Sequence, residues 1–240
     1  MKTTIKIACV AAAMAATGMT ALANPRAAEA AGSDFPIAAS SLDGFHVGGF
    51  YRYQSREVWK GIDDMNQDSL AFHVGYDLVP WLSAFAFVGT VDTEFDSAFR
   101  KADRTVLYGA GAWLNILDHE LLTSLTVETK IRLQACAQAS FASPEINGED
   151  CKYNDYYGNI TFSIINEVVG NRFIFPDEIG LFVGPCFTKL KSDDIDATGE
   201  NVGVIFGLDM IVTRNVSLSA SYETYGAGED AVNISLNCRF

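Results

Sequence analysis

From Phe45 to the last residue, apolar and polar side chains alternate with period two, the mark of strands with one apolar and one polar face. The clearest run is Ser124 to Phe141, where Leu125, Val127, Ile131, Leu133, Ala135, Ala137 and Phe141 alternate with Ser124, Glu128, Lys130, Arg132, Gln134 and Gln138. A helix of this sequence would put Leu125, Glu128 and Arg132 on one side and mix the two sets. The same parity recurs in Ile160, Phe162 and Ile164 against Asn159, Thr161 and Ser163, and in Val202, Val204, Phe206, Leu208 and Met210 against Asn201, Gly203, Gly207 and Asp209. Val216, Leu218, Ala220 and Tyr222 likewise face away from Ser217, Ser219, Ser221 and Glu223.

The breaks between these runs are of two kinds, which alternate. Short local ones fall at Val79-Pro80-Trp81, near Asp118-His119, from Asn171 to Asp177 and at Thr213-Arg214-Asn215. Polar, acidic ones run from Gly61 to Asp68, Asp96 to Asp103, Ser143 to Asp150, Ser192 to Glu200 and Gly226 to Asp230. Short turns at one end and longer loops at the other predict an all-β fold, a transmembrane up-and-down antiparallel β-barrel of about ten strands, with eight or twelve as alternatives. Most strands supply the roughly 9 to 11 residues a tilted membrane strand needs. A soluble β-sandwich or lipocalin-like barrel also alternates, but nothing in it requires the systematic asymmetry of the loops. Small residues on the polar face fit a crowded lumen, and Trp81, Trp113, Phe173, Phe175, Tyr222 and Phe240 are expected in aromatic girdles near strand ends. Alternation is poorest from Thr105 to Asn115, and one mis-paired hairpin there would reverse several lumen assignments.

Composition sharpens this picture. The chain of 240 residues is 49% hydrophobic with a mean hydropathy of +0.12, yet its longest apolar run after the N-terminus, Leu78 to Gly89, falls short of the roughly 18 residues of a spanning helix. A formal charge of -13 is the wrong sign for nucleic acid. Residues 1–23 have the three parts of a secretory signal: Lys2 and Lys6, an apolar stretch from Ile7 to Met19, and Ala21-Leu22-Ala23 before the cleavage site. Residues 24–44, rich in Ala, Ser, Asp and Pro without periodicity, read as a flexible periplasmic lead-in, and residues 45–240 as the barrel.

The last ten residues put Val232, Ile234, Leu236, Cys238 and Phe240 on one face and end on an aromatic. This resembles the C-terminal sorting strand of bacterial outer-membrane barrels. The resemblance implies an outer-membrane location in lipid and lipopolysaccharide and insertion by the barrel-assembly machinery. The segment Tyr53-Gln54-Ser55-Arg56-Glu57-Val58-Trp59-Lys60-Gly61, followed by Gln67-Asp68-Ser69-Leu70 and Trp81, is similar to a Ser-Arg-Tyr-Val-Trp-Arg-Gly type segment of small porin-type proteins of Gram-negative bacteria. Glu57 stands there in place of an aromatic and Lys60 in place of Arg.

By parity the expected lumen set is Arg52, Arg56, His73, Asp77, Asp92, Glu94, Glu128, Lys130, Arg132, Asp155, Glu167, Asp209, Glu223 and Arg239. Ionisable groups inside a membrane protein mark either a solvated path or a paired network. In a ten-strand barrel side chains can fill much of the interior. Two functions follow. The leading one is a small porin-like protein that passes ions or small solutes if open, with the surplus of acids favouring cations; the alternative is a closed barrel that serves envelope integrity or surface contact. A rim-site outer-membrane hydrolase is the lesser alternative: His73 lies nearly 14 Å by strand rise from Ser69 and from Asp77, too far for a triad within one strand. No enzyme, cofactor or metal is expected, and the barrel is expected to be monomeric. Cys136, Cys151, Cys186 and Cys238 remain after export, with no zinc spacing. The local disulfide candidate is Cys136 with Cys151.

Overall fold

The computed structural model describes residues 44–240 apart from 59–62, 96–99, 122–128, 147–148, 169–175, 193–200, 214 and 227–228. The export signal, nearly all of the lead-in, Glu128, Phe173 and Phe175 lie outside the described residues. Ten long strands form the wall: β1 (Phe45–Val58), β2 (Asp63–Val79), β3 (Leu82–Phe95), β4 (Thr105–Leu121), β5 (Thr129–Ala142), β6 (Tyr153–Glu167), β7 (Glu178–Ser192), β8 (Asn201–Thr213), β9 (Val216–Thr224) and β10 (Asp230–Arg239). Each pairs antiparallel with its sequence neighbours. β1 also pairs with β10, from His46 opposite Arg239 to Ser55 opposite Asp230, so the sheet closes on itself. This is the up-and-down barrel that the alternation predicts, with ten strands.

The chain ends meet at one end of the barrel. The Phe240 N–H donates to Phe45 O at 2.9 Å and the Arg239 N–H to Asn215 O, in the β8–β9 turn, at 2.8 Å. The Pro80–Trp81 turn belongs to the same end, the periplasmic one in barrels of this topology. Two short pieces of sheet mark the outer end: Arg100–Lys101 pairs with β3, and Glu145–Ile146 pairs with Glu149–Asp150.

Two expected breaks prove to be strand. Asp118 and His119 lie in β4, opposite Arg132 and Ile131. β2 starts at Asp63, inside the expected Gly61–Asp68 loop, with Met65 and Gln67 buried in the lumen. Asp64, Asn66 and Asp68 face outward near the rim, where the Tyr51 hydroxyl donates to Asp68 and the Tyr53 hydroxyl to Asn66 at 3.0 Å. The poor alternation of β4 has a local cause. Its register with β5 shifts between Asn115 and Leu117, and the extra residue of this bulge turns Asp118 inward on a strand whose earlier lumen residues, Trp113 and Asn115, are odd-numbered.

Bulky lumen side chains sit directly across from glycine. His46 faces Gly75, His73 faces Gly48, Phe85 faces Gly111, Phe87 faces Gly109 and Phe182 faces Gly207. The vacancy is required: a Cβ on Gly75 would lie 2.1 Å from His46 Cε1, and one on Gly111 2.5 Å from Phe85 Cζ. Outside, the wall is apolar. Phe72, Tyr76, Val88, Tyr108, Leu181 and Val202 are each more than half exposed. Such a belt on a closed barrel is stable in hydrocarbon rather than water, so the strands cross a membrane.

Candidate functional site

The lumen brings most of the expected charged residues together, and each of its five bases has a carboxylate within salt-bridge distance. In the outer half, Arg52 holds Glu223 with two bonds of 3.0 and 2.7 Å. The Tyr157 hydroxyl donates to the same carboxylate at 2.9 Å, the Tyr225 hydroxyl also donates to it, and the Arg52 guanidinium lies 4.6 Å over the Tyr157 ring. Nearer the rim, Arg56 donates to Asp155 at 3.3 and 3.1 Å and to Thr188 Oγ1 at 3.1 Å. Around these pairs pack the buried Val58, Met65, Val91, Phe95, Tyr153 and Leu190. Just beyond, in the β9–β10 loop, Glu229 accepts the Glu57 N–H at 2.9 Å, and burial holds its carboxyl above the usual pKa.

In the inner half the pairs follow the wall. Arg132 donates to Asp118 at 2.9 and 2.8 Å, Lys130 to Glu178 at 2.9 Å, and Arg239 to Asp77 at 3.0 and 2.5 Å. Arg239 also lines a cavity of 270 Å³ that extends from Pro80 and Trp81 to Arg52, with His46, His73, Trp113 and Asp209 in its wall. A second space of 30 Å³ lies higher, between Gln67, Tyr153 and Asp155.

Several expectations are corrected. Asp92 and Glu94 face outward, because the lumen positions of β3 are the buried Phe85, Phe87, Val91, Thr93 and Phe95; Asp92 pairs with Arg104 at 2.6 Å. Glu167 has lumen parity but sits exposed at the last position of β6. Trp113 lines the cavity instead of joining a girdle. Asp118 and Glu178 are lumen acids that parity did not yield, the first hidden by the bulge and the second by its place at the very start of β7. With these changes the acidic surplus largely becomes pairing.

Cys136 and Cys151 are not joined by a disulfide. Cys136 sits in the lumen wall, about 20 Å of strand rise below the outer end of β5 at Ala142, whereas Cys151 follows the outer hairpin with its N–H on Pro144 O at 2.8 Å. That is far beyond the roughly 7 Å Cα limit for a disulfide. Cys136 and Cys186 both lie opposite Asn159, on either side of β6, and Cys238 stays on the outward face as expected.

The histidines form no triad. His73 Nε2 lies 3.3 Å from Asn237 Oδ1, while His46 makes ring contacts with His73 and Trp113. His119 is exposed. Among the described residues no group of three His, Cys, Asp or Glu is placed to hold a metal ion.

No family model and no curated protein matches the chain. Solved structures do. The transport unit of the autotransporter AIDA-I from Escherichia coli is 13% identical, with 84% of this chain and 91% of that one covered and a TM-score of 0.49. Neisserial surface protein A is 15% identical, covering 82% and 97%, with a TM-score of 0.39. The outer membrane protease OmpT from Escherichia coli is 12% identical, covering 86% and 100%, with a TM-score of 0.34. At such identities the shared feature is the antiparallel barrel, and the fold rests on the register above. A closed barrel with an even number of strands, both ends on one side and an apolar belt is the architecture of bacterial outer-membrane proteins, and this chain is an outer-membrane β-barrel.

Proposed function

We propose that the protein is a closed outer-membrane barrel that serves envelope integrity or surface contact, and that it is not an open porin. The observation that carries this reading is the Arg56–Asp155 pair, which joins β1 to β6 on the far side of the ring and is surrounded by apolar packing. A salt bridge laid across a lumen occupies the path that ions would need, whereas charges along a wall leave it free. The outward Val232, Ile234 and Leu236 of the last strand, followed by the terminal Phe240, support insertion by the barrel-assembly machinery, and the closed sheet has no edge that a second copy must complete, which supports a monomer.

The test is conductance of the refolded exported chain in a planar bilayer under a salt gradient. The closed barrel is expected to insert and give no steady current. Discrete openings with cation preference would return the protein to the porin reading.

A further inference from the structure

The 270 Å³ cavity of the inner lumen lies near the small end of the range for small-molecule sites and has two unlike walls. One, on β3 and β4, is aromatic: Phe85 and Trp113 stack with centroids 4.1 Å apart and planes at 22°. The other, on β9 and β10 across the ring, is a ladder of hydroxyls and amides, with Ser217, Ser219, Ser221, Asn233, Ser235 and Asn237. The cations at its border are already matched, Arg52 by Glu223 and Arg239 by Asp77, and the Asp209 carboxylate accepts from the Ser219 hydroxyl. Its walls also hold polar atoms that lack a protein partner: Asn115 Oδ1, Asn233 Oδ1 and both ring nitrogens of His46, a residue only 1% exposed. Buried polar atoms in native proteins are rarely left so.

We propose that this cavity binds a neutral, hydroxyl-rich molecule of monosaccharide size, entering from the periplasmic mouth. A pyranose has a C–H face, which the Phe85–Trp113 pair covers, and an equatorial rim of hydroxyls, which the Ser and Asn ladder hydrogen-bonds. A hydrocarbon would leave that ladder without partners, and an anionic ligand would find no unmatched cation. The proposal goes beyond the closed-barrel reading and does not depend on conduction, since the mouth beside Trp81 opens on the inner side of the Arg52–Glu223 pair.

The experiment titrates the refolded exported chain, in a zwitterionic detergent without sugar groups, with glucose and galactose, followed by tryptophan fluorescence and calorimetry. Glycerol, galacturonate and phenol are the comparison solutes. A saturable response to a neutral hexose is expected, weakened roughly tenfold or more in Trp113→Leu and in Ser219→Val. Each variant is first checked for heat-modifiable migration, and Ser219→Val alone decides the matter if Trp113→Leu does not fold. A response that never saturates or that glycerol reproduces would show a cavity holding water only. Binding by galacturonate or phenol alone, or hexose binding untouched in a folded variant, would equally overturn the proposal. None of these outcomes alters the conductance test, so the two readings fail separately.

Discussion

The outer and inner halves of the lumen are built from the same ion pairs and end differently. In the outer half Arg56 on β1 reaches Asp155 on β6, five strands away in a ring of ten, and Tyr157, also on β6, carries the Arg52–Glu223 pair across the lumen. In the inner half Arg132–Asp118 joins adjacent strands, and Lys130–Glu178 and Arg239–Asp77 each pass over a single strand. The outer networks bar the lumen; the inner pairs line it and leave 270 Å³ open. Net charge is not what separates the halves. What separates them is whether the bonded network reaches the far side of the ring, as Arg56–Asp155 does directly and Arg52–Glu223, which passes over β10 alone, does only through Tyr157.

The sharpest way to break this comparison is Glu223→Ala. It leaves Arg52 with a side chain 11% exposed and no carboxylate, and takes an acceptor from both Tyr157 and Tyr225. An uncompensated buried charge costs about 3–5 kcal/mol, read as a lower urea midpoint for barrels in lipid vesicles. Next comes Val88→Arg, in the middle of β3 on the outward face, where the halves meet. It is expected to destabilise insertion by about 2–4 kcal/mol, and a neutral result in vesicles would deny the lipid belt. Gly111→Ala tests the inner half alone. The added Cβ meets Phe85 Cζ at 2.5 Å and Ala137 O at 2.6 Å, and the backbone atom cannot rotate away. A loss of about 1–3 kcal/mol is expected in the same unfolding measurement.

The sequence carried the wall better than it carried the lumen. Parity settled β5, β6, β8, β9 and β10, because each has apolar residues on one face and hydroxyls, amides or charges on the other. It failed on β3, where Ala84, Ala86 and Val88 face lipid while Phe85, Phe87 and Val91 face the lumen. With both faces apolar, period two loses its sign and assigns Asp92 and Glu94 to the wrong side. On β4 the bulge after Asn115 reversed the sign within one strand. The pairing of partners was not legible at all, since Arg56 and Asp155 are joined only when the ring closes. The sequence does carry one further lumen signal: glycines on lumen parity, such as Gly48, Gly75, Gly109 and Gly111, mark the seats of large side chains on the neighbouring strand.

The smallest expected effect is the one that sharpens the comparison most. Lys130→Ala removes a cation whose partner, Glu178, keeps 21% of its side chain exposed at the periplasmic mouth. Water there can solvate the remaining carboxylate, so the loss should be about 1 kcal/mol, as for partly exposed pairs. The bridge runs between β5 and β7 along the wall, so its removal should leave conductance unchanged as well. Urea midpoints for Lys130→Ala and Glu223→Ala, measured in the same vesicles, should therefore differ several-fold in their displacement from the parent barrel. Equal displacements would mean that the burial of Glu223 and its bond to Tyr157 across the lumen add nothing to an ion pair, and the distinction between barring and bordering networks would fall.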